Sequence, residues 1–447
     1  MKMRIAPLAI AIAAASTLTS TATLADGWTI NGYGMTNYRL QDDKSTGNKF
    51  GRNDYLTAGT SAPNENQAEL TVKKSVQYDE SMYADYVLRA EYGNGESNYG
   101  SSGGSADSDS EGPFEIKEAY VLLGNLEFMP EGSQVWAGKR FMNRNAGILS
   151  GEYWKQSSGV GAGVENALSD GGKWGVSVMS VDPGEQSQFA GYYDCTGQPV
   201  AKNGCGADED PKWVPPNSGS RQTFTSYDLY VHGIKGLGGS FDFDAKFLTQ
   251  ADNSVDGTGY SITYNRDYYG MDGWSQTAIA FGDQLSAHGK GVNFGSWAGG
   301  GADSSSVFLT SFGVLNLTES LQLGTEISRF AGKNVYGQPE LTRTLFAVRP
   351  SYMVNNNLRV EATYSHGVEE FANATDALMW GRTQKSSTFN TYEIAAALTA
   401  NSDYFGRPQI KPYVTHYVSN DGAGNVLNLT DGKNSETIFG VQAEIWF

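Results

Sequence analysis

Apolar and polar residues alternate with a period of two along most of this chain, and no run approaches the roughly 18 continuous apolar residues of a membrane helix. That period belongs to an extended strand with one apolar and one wet face. Residues 81–93 set Met82, Ala84, Tyr86, Leu88, Ala90 and Tyr92 on one face, and Asp85, Arg89 and Glu91 on the other. Residues 345–367 read as a hairpin turning at Asn355, Asn356 and Asn357. Its second arm places Leu358, Val360, Ala362 and Tyr364 against Arg359, Glu361, Thr363 and Ser365. Residues 437–447 repeat the pattern, with Phe439, Val441, Ala443, Ile445 and Phe447 alternating with Gly440, Gln442, Glu444 and Trp446. Trp446 is the odd member, because its parity aims an indole at the wet face.

Two architectures bury such strands. A soluble sandwich turns the apolar face inward, whereas a transmembrane barrel turns it to lipid and keeps charges around a wet lumen. Polar faces bearing both signs of charge, aromatics at strand ends and short turns alternating with long loops favour the barrel. The fold expected is therefore all-β, an antiparallel transmembrane β-barrel. About 16–18 strands fit a chain of this length and leave an aqueous channel. No composition shift marks a second domain. The 49 Asp+Glu against 32 Lys+Arg give a net charge of −17, which excludes a nucleic-acid surface.

Residues 1–25 read as a secretory signal peptide: Lys2 and Arg4, an apolar stretch from Ile5 to Ala15, and small residues up to Ala25. Residues 26–447 are then the outer-membrane barrel. In an exported chain, Cys195 and Cys205 are expected to form a disulfide pinning one polar surface loop, worth about 2–3 kcal/mol. No histidine stands near them to make a metal site.

Catalytic signals are weak. Gly100–Gly104 matches G-x-S-x-G in a low-complexity loop, without the strand-to-helix context of a nucleophile elbow. His232, His288, His366 and His416 lack ligand spacing. Gly159–Gly163 has no βαβ surroundings, and Asp107, Asp109 and Glu111 read as a solvated acidic loop. No catalytic residue, metal or cofactor is expected.

"GSQVWAGKRFMNRN" at 132–145, followed by "YWKQSSGVGAGVEN" at 153–166, resembles the maltoporin family. So do "INGYG", "KEAYVLLGNL", "AVRPSY", "GRPQIKPYVTHY" and "FGVQAEIWF", in the same order. The resemblance implies a homotrimer of roughly eighteen-stranded barrels in outer-membrane lipid, each narrowed by an infolded loop and passing maltose and maltodextrins without a cofactor. It implies that an aromatic slide stacks on sugar rings, with Trp446, Tyr33, Phe405 and Trp274 as rungs. It places Arg144 and Tyr153 at the constriction, with Lys117 and Glu152 on the polar track. Ala146 and Gly151 stand where the family has aspartates. Met35 replaces a basic residue, Gln67 replaces a tyrosine, and Tyr99 is the counterpart offered for a neighbouring subunit's tryptophan. Readings left open are a porin for another oligosaccharide, a general diffusion porin, a barrel hydrolase and a surface receptor.

Overall fold

In a computed structural model the described residues are 27–41, 44–45, 56–60, 66–92, 114–169, 171–180, 192–195, 198–200, 212–214, 224–250, 256–288, 291–292, 302–335, 338–379, 382–421 and 433–447. The expected signal peptide, Tyr99 and Cys205 lie outside them.

The first strands are β1 (Gly27–Gln41), β2 (Lys44–Ser45), β3 (Asn66–Gln77), β4 (Tyr83–Tyr92), β5 (Phe114–Gly124), β6 (Gln134–Ala146), β7 (Tyr153–Ala167) and β8 (Lys173–Ser180). Three short strands follow: β9 (Tyr192–Cys195), β10 (Gln198–Val200) and β11 (Lys212–Val214). Next come β12 (Phe224–Gly236), β13 (Gly239–Gln250), β14 (Asp256–Tyr268), β15 (Met271–Asp283), β16 (Ser305–Asn316) and β17 (Leu321–Val335). The last five are β18 (Gln338–Asn355), β19 (Leu358–Phe371), β20 (Ser386–Thr399), β21 (Gln409–Ser419) and β22 (Ser435–Trp446).

Eighteen of these strands close an antiparallel barrel. Consecutive strands pair, β8 passes directly to β12, and β22 returns to β1. The strands β9–β11 form a separate small sheet, and β2 lies on the end of β1. Connections at the end carrying Gly27 and Phe447 are short. Leu237–Gly238 and Tyr269–Gly270 are two-residue turns with positive φ at both positions, which suit the twist of a hairpin. The opposite end has the long connections. Short turns mark the periplasmic rim and long loops the outer surface.

Burial is inverted relative to a soluble sheet. Ile394 is 68% exposed, while Glu393 beside it is 3% exposed. Tyr86 and Leu88 face out, and Asp85, Arg89 and Glu91, of the opposite parity, face in. Arg359 and Glu361 are buried where Val360 is exposed. Charges on the inner wall neutralise one another across strands, for example Lys73 with Asp85 at 3.3 Å and Arg140 with Glu165 at 3.1 Å.

The seam between β1 and β22 explains two glycines. A Cβ on Gly32 would stand 2.3 Å from the ring of Phe447, and one on Gly440 would stand 2.1 Å from that of Tyr413. Phe447 therefore packs over Gly32, with backbone hydrogen bonds in both directions between them. Tyr413 crosses Gly440 and donates a 2.8 Å hydrogen bond to Asn37 on β1. Each aromatic covers the gap left by a missing side chain on the neighbouring strand.

Candidate functional site

The β6–β7 hairpin leaves the wall. Pairing of β5 with β6 stops at Lys139, and pairing of β7 with β8 begins at Val160. Between those points the two strands pair only with each other, and their register slips between Met142 and Asn145. Asn143 and Gly151 adopt positive φ, which turns the chain inward there.

The hairpin tip crosses to distant strands. Asn145 donates to Gln276 on β15 at 2.6 Å, and Gln276 donates to Asn265 on β14 at 2.6 Å. The carboxylate of Glu326 on β17 accepts the backbone N–H of Leu149 at 2.7 Å and of Ser150 at 3.2 Å, together with the Ser150 hydroxyl. At the hairpin base, Lys246 donates to the Gln156 carbonyl and the Ser157 hydroxyl, and Lys155 pairs with Asp244 at 2.5 Å. Trp154, Phe308, Phe330, Ala287 and Val292 seal the space between hairpin and wall.

A second segment, residues 56–60, lies against β19, β20 and β1. Ala58 donates to Ser365, Thr60 donates to Glu393 through both backbone and hydroxyl, and Asn37 donates to the Thr60 carbonyl. Gly59 N–H reaches the Leu149 carbonyl at 3.4 Å. The two infolded segments thus meet inside the barrel, each held by one wall carboxylate. The expected infolded loop is present.

Two aromatic groups lie on the inner side of the wall. Tyr33 pairs in register with Trp446 across the seam, and both face inward. Glu444 accepts from the Tyr33 hydroxyl at 3.3 Å, Arg407 Nε at 2.6 Å and Gln409 at 3.0 Å, and the Arg407 guanidinium lies 4.5 Å from the Trp446 ring centroid. The second group is Trp274 and Phe405, with ring centroids 6.2 Å apart, which pack with Ile148, Leu149, Ala58 and Tyr404. Phe405 comes from the β20–β21 turn, while Trp274 is the fourth residue of β15. These rings pack against both infolded segments, through Ala58 on one and Ile148 and Leu149 on the other.

At the hairpin, the Arg144 guanidinium lies 4.6 Å from the centroid of Tyr153 and 5.3 Å from that of Phe141. Lys117 is buried between Glu115 at 2.7 Å and Glu91 at 3.6 Å, so it serves the wall. Glu152 is also buried. Its backbone N–H goes to the Ser150 hydroxyl and its carbonyl accepts from Gly147. Met35 accepts a weak bond from Gln442, and Gln67 donates to Glu69 and Glu91. No metal-binding group of His, Cys, Asp or Glu occurs among the described residues. Sequence reasoning missed Arg407, Glu326, Glu393 and the 56–60 segment. The inward parity of both glutamates is legible, but their partners are remote in sequence.

A family model described as LamB porin matches residues 62–447. The chain belongs to the LamB porin family. It is 22% identical over 435 residues to the maltoporin of Vibrio cholerae serotype O1 (strain ATCC 39315 / El Tor Inaba N16961), covering 88% of this chain and 94% of that protein. It is 24% identical over 471 residues to Maltoporin 1 of Aeromonas salmonicida (strain A449), covering 100% of each. The solved structure of Pseudomonas aeruginosa OccD3 covers 95% of this chain and 92% of its own at 9% identity, with a TM-score of 0.48. As a LamB-family porin, the protein is an outer-membrane channel.

Proposed function

We propose that this porin carries maltose and maltodextrins by facilitated diffusion, as a homotrimer. The observation that carries the reading is the in-register pair of inward aromatics, Tyr33 and Trp446, fixed beside the Arg407–Glu444 ion pair. An indole and a phenol give flat apolar surfaces on which sugar rings stack, while neighbouring charged groups exchange hydrogen bonds with hydroxyls. Trp274 and Phe405 offer a second such surface, and Arg144 with Tyr153 narrows the path between infolded segments. Several weak sites in series favour entry while still permitting exit. Planar-bilayer current with increasing maltotriose tests this: stepwise, saturable block supports it, and current indifferent to sugar refutes it.

A porin for another oligosaccharide is the second reading. Ala146 and Gly151 leave the hairpin without carboxylates at two positions beside Arg144 and Tyr153. Block by a different oligosaccharide at lower concentration than maltotriose would establish it.

A further inference from the structure

We infer that Arg144 makes the constriction selective for oligosaccharides bearing carboxylates, such as uronates, over their neutral counterparts. The inference deepens the sugar-channel reading and rests on it.

Charge at the hairpin is uneven. Carboxylates facing it are already engaged: Glu326 by the hairpin's own N–H groups, Glu118 by Phe141 N–H and Arg89, Asp244 by Lys155 and His232, and Asp228 by Lys246 and three serines. Glu152 is buried. Arg144 differs from these. Among the described residues it has no carboxylate partner, its Nε has no hydrogen bond, and its contacts are the rings of Phe141 and Tyr153. A guanidinium held by aromatic faces keeps its charge while its N–H fork still needs acceptors.

Neutral hydroxyls satisfy such donors weakly. A carboxylate satisfies two at once, in a bidentate, charge-assisted pair. The phenol of Tyr153 beside it offers a ring face for the sugar carrying that carboxylate. Among the facing acids named, Glu118, Asp244 and Asp228 are offset by Arg89, Lys155 and Lys246, which weakens their repulsion of an anionic sugar. Arg144 is thus a specificity-determining residue.

The test compares maltotriose with the same trisaccharide oxidised at C6 to glucuronate, using full-length protein in planar bilayers. At about 0.1 M salt the oxidised sugar is expected to half-block at roughly tenfold lower concentration. The advantage should shrink at about 1 M salt, where screening is shorter-ranged. Arg144→Gln should bring both sugars to one half-blocking concentration, and Arg144→Lys should keep part of the preference. Equal or tighter block by maltotriose in the wild type overturns the inference and leaves the sugar-channel reading standing. So does a preference that survives Arg144→Gln. Block by neither sugar overturns both readings.

Discussion

Arg407 lies over the indole of Trp446, its guanidinium carbon 4.5 Å from the ring centroid, while its Nε bonds Glu444 two residues earlier. Tyr33 and Gln409 donate to the same carboxylate. The last tryptophan is therefore set by a cation over its face and by three donors that fix its neighbour.

Trp446→Ala should remove a stacking surface without opening the wall, whose backbone pairing at the seam does not depend on the indole. If such stacking is worth about 1–2 kcal/mol, the half-blocking sugar concentration rises roughly five- to thirtyfold. Sugar titration of single-channel current checks this, with sugar-free conductance expected to stay near wild type.

Glu326→Ala should loosen the hairpin tip. It strands the N–H groups of Leu149 and Ser150, and hydrogen bonds to a charged acceptor are each worth about 1.5–3 kcal/mol. The expected result is excess open-channel noise and weaker sugar block in a barrel that still migrates as folded on unheated gels. Glu326→Gln, which keeps an acceptor, should lie between Ala and wild type. A quiet Glu326→Ala channel would show that Glu393 and the 56–60 segment suffice to hold the constriction.

Gly440→Ala should destabilise the seam by about 1–3 kcal/mol, because its new methyl meets the Tyr413 ring and drives the hydroxyl from Asn37. Tyr413→Phe leaves the packing and removes only the hydrogen bond, so its loss should be smaller. Urea unfolding in lipid vesicles would rank the two.

Outside the barrel, Asp421 anchors residues 383–387. Burial opposes its ionisation, but hydrogen bonds from the Thr383 hydroxyl and N–H, with Ser387 and Gln384, outweigh it and hold its carboxyl below the ordinary range. A depressed carboxylate contributes stability that is full above the unfolded value near 3.9 and lost as pH falls through the folded one. Limited proteolysis of this loop should be constant from about pH 7 to 5 and accelerate below about pH 4. Asp421→Asn should be cut faster at neutral pH, with little further change on acidification.

The wall was legible because a strand advertises its two faces locally. Tyr86 and Leu88 out with Asp85 and Arg89 in, and Trp446 in with Ile445 out, follow from parity alone. What fills the lumen was not, because those contacts join positions far apart in the chain. Thr60 and Glu393 are 333 residues apart, and Leu149 and Glu326 are 177 apart. Lys117 shows the same limit. The resemblance puts it on the polar track, yet only the neighbours Glu91 and Glu115 decide that its charge is spent on the wall. Arg407 gives no local signal, since its role depends on an indole contributed by a different strand.

The seam has a consequence for biogenesis. Tyr33 and Trp446 belong to the first and last strands, and Gly32 and Phe447 complete the backbone pairing beside them. Until β22 reaches β1, both strands are unpaired edges, and such long-range pairing is the slowest kind to form. The aromatic pair therefore cannot exist in a partly assembled chain. A barrel that binds sugar at Tyr33 and Trp446 has, by that fact, paired β22 with β1 and sealed itself, so recognition and closure are one property of the molecule.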